Sequence, residues 1–104
     1  KFYLICVTNN PVLTARKTLE ALGISGLIPE IIGLDTTLKS KPAREIFELA
    51  AKTAGTALNT KIKFEECISI GDRYDIDLDL PLKLGMGAIL VDGVKDVYLL
   101  PEVL

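Results

Sequence analysis

Short apolar runs alternate along the chain with longer segments in which apolar residues recur every three or four positions. The short runs are nearly all apolar and rich in β-branched residues, as is typical of parallel strands covered on both faces. Because strands that alternate with helices form βαβ units, this order predicts an α/β fold with a parallel sheet. The predicted strands are Phe2–Val7, Glu30–Leu34, Cys67–Ile70 and Ala88–Val91.

The segments between the strands have the periodicity of amphipathic helices. In the first segment, apolar residues recur at Val12, Ala15, Leu19 and Leu22. Asn10 is a good N-cap and Pro11 suits the first helical position, so we expect the helix to begin there and to end at Gly23. The other segments are predicted as a polar loop at Asp35–Ser40, a helix from Pro42 to Gly55, a short helix from about Leu78 to Leu84 and a helical turn within Val94–Leu104.

Composition and charge narrow the function classes. The chain has 104 residues, of which 49% are apolar and 25% charged, as expected for a single globular domain. The net charge of −2 and the scattered basic residues disfavour a nucleic-acid surface. No apolar run approaches the length of a membrane span, so we expect neither a span nor a signal peptide.

The histidine, cysteine, arginine and aromatic content restricts which catalytic and metal sites the chain can form. The absence of histidine excludes a His-based triad and a His-ligated metal within this chain. Cys6 and Cys67 lie inside apolar runs, which favours core thiols in a reducing, cytoplasmic compartment. Arg73 is interpreted as a local charge partner. The aromatic side chains expected to pack in or near the core are Phe2, Tyr3, Phe47, Phe64 and Tyr74.

Polar side chains follow the predicted strands at their carboxyl ends, where open α/β sheets bind ligands. Thr8 and Asn9 follow the first strand, Lys41 precedes the second long helix, and Asp72 follows the third strand, with Asp77 close behind. Hydroxyl and ammonium groups bind phosphate, and clustered carboxylates suit Mg²⁺. Taken singly, these features would be a helix start, a solvated lysine and a surface turn, so their ordered co-occurrence carries the hypothesis.

The same residues form three ordered motifs, Thr8–Asn10, Lys41–Pro42 with Glu45–Phe47, and Gly71–Asp77. This order resembles the second, third and fourth motifs of the haloacid dehalogenase-like (HAD) superfamily. The resemblance implies a three-layer Rossmann-like core and a Mg²⁺-dependent phosphohydrolase that works through an aspartyl-phosphate.

The resemblance also implies a role for each motif residue. Thr8 would hydrogen-bond the transferring phosphoryl group, Asn9 would shape the phosphate pocket, and Lys41 would neutralise charge between nucleophile and phosphate. Asp72 would bind Mg²⁺, and Asp77 would support the site as a second acid. Thr8, Lys41 and Asp77 are therefore the expected catalytic residues, Thr8, Asn9 and Lys41 the expected phosphate ligands, and Asp72 the expected metal ligand.

The family's first motif, an Asp nucleophile with a second Asp two residues later at the end of the first core strand, has no match here, because the pairs Asp75/Asp77 and Asp77/Asp79 follow the third predicted strand and belong to the last motif. We therefore expect the 104 residues to be the C-terminal part of a HAD-like core that is inactive alone. The family's sheet order is five, four, one, two, three, and this chain would supply strands two to five. The central slot would be closed by direct pairing, or filled by an upstream segment or a second copy.

Two functions remain open at this point. One is a phosphohydrolase, as the parent protein, that acts on a small phosphorylated metabolite. The other is a non-catalytic remnant that binds phosphate or a partner. An upstream strand ending in DxD would favour the enzyme. A dinucleotide-binding Rossmann domain is disfavoured because no GxGxxG sequence is present.

Overall fold

The computed structural model describes residues 2–91, and the predicted helical turn within 94–104 lies outside them. The chain divides into two compact units between Ile62 and Lys63. In the first unit the elements are β1 (Ile5–Val7), α1 (Val12–Ala21), β2 (Glu30–Ile32), α2 (Leu34–Thr37) and α3 (Arg44–Leu58). In the second unit they are β3 (Ile68–Gly71), a π-helical turn (Tyr74–Leu78), α4 (Asp79–Lys83) and β4 (Gly87–Leu90). The expectation of a single domain stays a prediction.

Each unit contains one pair of parallel strands. β1 pairs with β2, with Cys6 opposite Ile31, and β3 pairs with β4, with Ile70 opposite Ile89. The α/β class with parallel strands is therefore confirmed. The pairings also agree with the sheet order that the motifs imply, in which strand two adjoins strand three and strand four adjoins strand five. What adjoins the remaining edges of β1 and β3 stays a prediction.

The core of the first unit lies between α1 and the β1–β2 pair. Ala15 and Leu19 of α1 are buried against Ile31 of β2, with the half-buried Cys6 alongside. Ile32 is also buried, and because successive strand residues point to opposite faces, both faces of β2 are covered. On α3, which contacts β1, Ile46 and Phe47 are buried. For β2, burial on both faces is what its continuous apolar run predicts.

The second unit buries Leu78, Pro81 and Val91. Leu78 ends the π-helical turn, and Pro81 lies in the first turn of α4, where its missing N–H costs least. The expected position of Pro81 is confirmed. The predicted helix at 78–84 is resolved into two parts, because the π-helical turn precedes an α-helix of only five residues.

Within residues 2–91, no helix has the length and apolar character needed to cross a bilayer.

Several helix boundaries differ from the predicted ones. α1 begins at Val12 with Pro11 as its N-cap, instead of Asn10, because the Asn10 carbonyl accepts the Leu34 N–H at 2.9 Å. The loop predicted at 35–40 contains the short helix α2. α3 begins at Arg44, two residues after Pro42, because Lys41 is held by contacts to the end of β1.

α3 also ends later than the sequence predicts. The helix continues through Gly55 to Leu58 and is capped by Asn59 in the left-handed conformation, at φ 55°. Gly55 lies inside the helix because the chain returns over it, and a Cβ there would lie 2.6 Å from the Thr60 carbonyl oxygen. The glycine thus serves close packing, and asparagine takes the C-terminal role that glycine often has.

Several side chains expected to be buried are exposed, among them Leu4, Ile68, Ile70 and Leu90 of the predicted strands. The exposed fraction is 61% for Phe2, 55% for Leu22 and 54% for Tyr74. Leu22 lies beyond the last residue of α1, where the chain turns away through Gly23 at φ 74°. Tyr74 is the first residue of the π-helical turn, whose buried side is taken by Asp77 and Leu78. Phe47 is buried as expected, and Tyr3 and Phe64 are half-buried.

Leu38 has the backbone conformation least suited to its side chain. It ends α2 in the left-handed region, at φ 59° and ψ 22°, while its side chain is 82% exposed. The left-handed region costs an L-residue with a Cβ roughly 1–2 kcal/mol. Asn59, the other residue other than glycine with positive φ in the described part of the chain, tolerates that region much better.

We expect Leu38→Gly to stabilise the protein by about 0.5–1 kcal/mol, because relief of the left-handed backbone outweighs the added chain entropy of the unfolded state. Urea unfolding midpoints measure the change. Asn59→Gly is the matched control and should change stability by less than about 0.5 kcal/mol. A Leu38→Gly variant less stable than the parent would contradict this expectation.

Candidate functional site

The loop that follows β1 is fixed by two hydrogen bonds at Thr8. The Thr8 N–H donates to the Ile32 carbonyl at 3.0 Å, and the Thr8 Oγ1 accepts the Asn10 N–H at 3.1 Å. Because the hydroxyl oxygen accepts this bond, the hydroxyl proton is left to donate to a further oxygen. Thr8 is therefore oriented as a donor at the carboxyl end of β1.

Lys41 joins this loop from a point more than thirty residues later in the chain. Its N–H donates to the Asn9 Oδ1 at 2.6 Å, and its Nζ donates to the Val7 carbonyl at 3.1 Å. Val7 is the last residue of β1 and directly precedes Thr8. The structure therefore brings together Thr8, Asn9 and Lys41, the three residues that the sequence predicts as phosphate ligands.

The positive charge of Lys41 influences the pKa of the nearby Cys6 thiol. Burial raises the pKa of the Cys6 thiol, and the positive charge of Lys41 lowers it in part. The pKa of Cys67 is raised by burial and further by the negative charge of Glu66. Both cysteines are free thiols. A raised pKa keeps each thiol neutral near pH 7, as expected for a packing residue, so neither is a candidate nucleophile.

Sequence reasoning missed one participant in this loop, Asp35. Its Oδ1 accepts the N–H of Val12, the first residue of α1, at 2.9 Å. The sequence places Asp35 in a polar loop, and no local pattern connects it with a helix that begins 23 residues earlier. The only signal is its position directly after a strand, where polar residues of an α/β sheet gather.

The acidic turn of the second unit is organised around Asp77. This side chain is buried, and its Oδ2 accepts the Arg73 N–H at 3.3 Å. The Asp77 N–H donates to the Arg73 carbonyl at 2.8 Å, and the Ser69 hydroxyl donates to the Asp77 carbonyl at 2.8 Å. Ser69 was not predicted from the sequence. These bonds tie the turn to β3, so Asp77 holds the turn that carries Asp72.

The other charged residues of the turn have local partners. Arg73 forms an ion pair with Asp75 at 3.5 Å, which confirms its interpretation as a local charge partner. Asp79 forms an ion pair with Lys83 at 3.1 Å, one helical turn later. Both pairs are exposed, so they contribute little to stability. Asp72, in contrast, presents an exposed side chain directly after β3.

The donor set of the acidic turn fits Mg²⁺ in part. Within residues 2–91, no group of three or more cysteine, aspartate or glutamate side chains is arranged to hold a metal ion. Mg²⁺, however, is commonly held by one or two carboxylates together with phosphate oxygens and water. The exposed carboxylate of Asp72 has the right chemistry for one such ligand, whereas Asp77 uses an oxygen within the turn.

Comparison with known proteins agrees with this arrangement of motifs. A family model for haloacid dehalogenase-like hydrolases matches residues 1–81. The chain belongs to this family. The resemblance drawn from the three motifs is therefore confirmed. No curated protein matches the chain.

A solved relative extends the comparison to the fold. The chain is similar to the crystal structure of a HAD phosphatase from Thermococcus onnurineus, with a TM-score of 0.79 and 21% sequence identity. The match covers 98% of this chain and 50% of that protein, so the chain spans half of the relative's length. The HAD-like fold class is thereby confirmed, with a partial sheet.

Gly71 allows Asp77 its buried position. A Cβ at Gly71 would overlap the Asp77 side chain and lie 2.5 Å from its Oδ2. We expect Gly71→Ala to destabilise the protein by about 1–3 kcal/mol, because the buried carboxylate must move. Urea unfolding measures the loss.

Gly87→Ala is the matched control in β4. Its Cβ would meet the Ile68 side chain at 3.4 Å and the Cys67 carbonyl oxygen at 3.8 Å, both ordinary contacts, so no loss of stability is expected. Equal losses at the two glycines would show that the Asp77 contact has no special cost.

Proposed function

We propose that the protein is a Mg²⁺-dependent phosphohydrolase that acts on a small phosphorylated metabolite. Members of its family are generally phosphatases, and they generally use Mg²⁺. The single observation that supports this function best is the convergence of Lys41 with Thr8 and Asn9 at the carboxyl end of β1. A hydroxyl, an amide and an ammonium at one edge of a parallel sheet form a site suited to phosphate.

Each of the three side chains has a distinct function in this proposal. The Thr8 hydroxyl donates a hydrogen bond to a phosphate oxygen. The Asn9 Oδ1 is used by the Lys41 N–H, so the amide NH₂ of Asn9 is the group that donates to phosphate. The Lys41 ammonium neutralises negative charge on the phosphoryl group. Positioning and charge neutralisation are most of what phosphoryl transfer requires.

The two acidic residues act differently. Asp72 would hold Mg²⁺, which when bound neutralises phosphate charge and orients the phosphoryl group. Asp77 supports this function by fixing the turn through the Arg73 N–H and the Ser69 hydroxyl. We place the nucleophilic aspartate and any cap domain outside these 104 residues, because the DxD spacings present, Asp75/Asp77 and Asp77/Asp79, follow β3 and belong to the acidic turn.

The full-length protein should hydrolyse a generic aryl phosphate, and chelation of Mg²⁺ by EDTA should abolish the activity. The 104-residue chain alone should show no turnover, because a covalent intermediate requires a nucleophile that it lacks. Robust turnover by the isolated chain would overturn this assignment. A full-length protein that binds phosphate but hydrolyses nothing would identify the non-catalytic alternative.

In the full-length protein, Asp72→Asn should raise the Mg²⁺ concentration for half-maximal activity by roughly tenfold or more, because a direct ligand loses its charge. Activity measured over a Mg²⁺ titration gives this value. Asp79→Asn is the matched control, since it removes the same charge from an exposed ion pair in the same unit and should have little effect. Equal effects would mean that the metal ligand is misassigned.

A further inference from the structure

Three close approaches join the segment Gly33–Asp35 to the start of α1. The Leu34 N–H donates to the Asn10 carbonyl at 2.9 Å, and the Val12 N–H donates to the Asp35 Oδ1 at 2.9 Å. At Gly33 the backbones approach so closely that a Cβ would lie 2.7 Å from the Asn10 oxygen. We call this set of contacts the loop clamp.

The loop clamp supplies what the start of α1 lacks. Pro11, the N-cap residue, makes no side-chain cap hydrogen bond, and the first turn of α1 contains no acidic residue. The first N–H groups of a helix need acceptors, and the positive end of the helix dipole favours a carboxylate. Asp35 provides both from the first turn of α2, a different element.

The loop clamp fixes one side of the proposed phosphate-binding residues, and the hydrogen bond between Thr8 and Ile32 fixes the other. Thr8 is bonded through its N–H to the Ile32 carbonyl, and Asn10 is bonded through its carbonyl to Leu34. Asn9 lies between these two anchors, where it accepts the Lys41 N–H. A shift at the start of α1 would therefore be transmitted to Thr8, to Asn9 and, through Asn9, to Lys41.

We propose that Asp35 is a positioning residue that holds the Thr8–Asn10 loop in its phosphate-binding conformation. This inference rests on the proposed function. Asp35 occupies the Val12 N–H, so a bound phosphate does not use that group and is instead directed to Thr8 and Asn9. The carboxylate thus acts through the backbone of the loop and not by contact with substrate.

The direction in which Asp35→Ala changes phosphate affinity distinguishes a positioning role from a purely electrostatic one. If Asp35 acted only through its charge, its removal would favour an anion and tighten phosphate binding. If Asp35 positions the loop, Asp35→Ala should weaken binding even though a negative charge is lost. Asp35→Asn removes the charge but keeps an oxygen that can accept the Val12 N–H, so it should restore binding.

The test measures inhibition of the full-length enzyme by orthophosphate. We expect Asp35→Ala to raise the inhibition constant about fivefold, the effect of losing one helix-capping bond, while the Mg²⁺ concentration for half-maximal activity stays unchanged. Asp35→Asn should lie near the parent. Glu48→Ala, which removes a carboxylate paired with Arg44 on the exposed face of α3, is the matched control. Unchanged or tighter phosphate inhibition in Asp35→Ala would overturn the proposal.

Amide hydrogen exchange tests the positioning role of Asp35 independently of any phosphatase activity. Asp35→Ala should accelerate exchange at Val12 in the protein, and Asp35→Asn should not. If the parent protein hydrolyses no aryl phosphate, the phosphohydrolase assignment fails, and exchange at Val12 still decides whether Asp35 holds the loop. Unchanged exchange at Val12 in Asp35→Ala would overturn the positioning role directly.

Discussion

The hydrogen bond from the Lys41 ammonium to the Val7 carbonyl is the contact on which the candidate site depends. It brings the ammonium group of a residue from a later loop to the last residue of β1, which directly precedes Thr8. Bringing an ammonium group to a half-buried position costs free energy unless polar partners compensate it. The Val7 carbonyl is one such partner.

The acidic turn shows how similar residues acquire different functions through position. Asp72 and Asp77 belong to one short turn, yet Asp72 is exposed and Asp77 is buried. Burial directs the Asp77 carboxylate to the Arg73 N–H, and Gly71 makes room for it. The same turn therefore contains one carboxylate that is open to solvent and one that holds the backbone.

The order of strands and helices could be predicted from the sequence because apolar runs and helical periodicity are local. The convergence of Thr8, Asn9 and Lys41 could also be predicted, because parallel strands end at one edge of a sheet and the order of the motifs is distinctive. The start of α1 could not be predicted, because it is decided by Asp35 and Leu34 from another element. The helix end predicted at Gly55 is wrong for a similar reason. The close approach of the Thr60 backbone, not a helix end, requires glycine there.

The parallel pairs have a consequence for the order of folding events. β1 and β2 are separated by α1 and a 3-10 turn at Ser25–Leu27, and β3 and β4 by the π-helical turn and α4. Each pair therefore closes a short stretch of chain, and the entropic cost of closure is low for a parallel sheet. Both pairs can nucleate early from nearby sequence, with the crossover helix as the local scaffold in each.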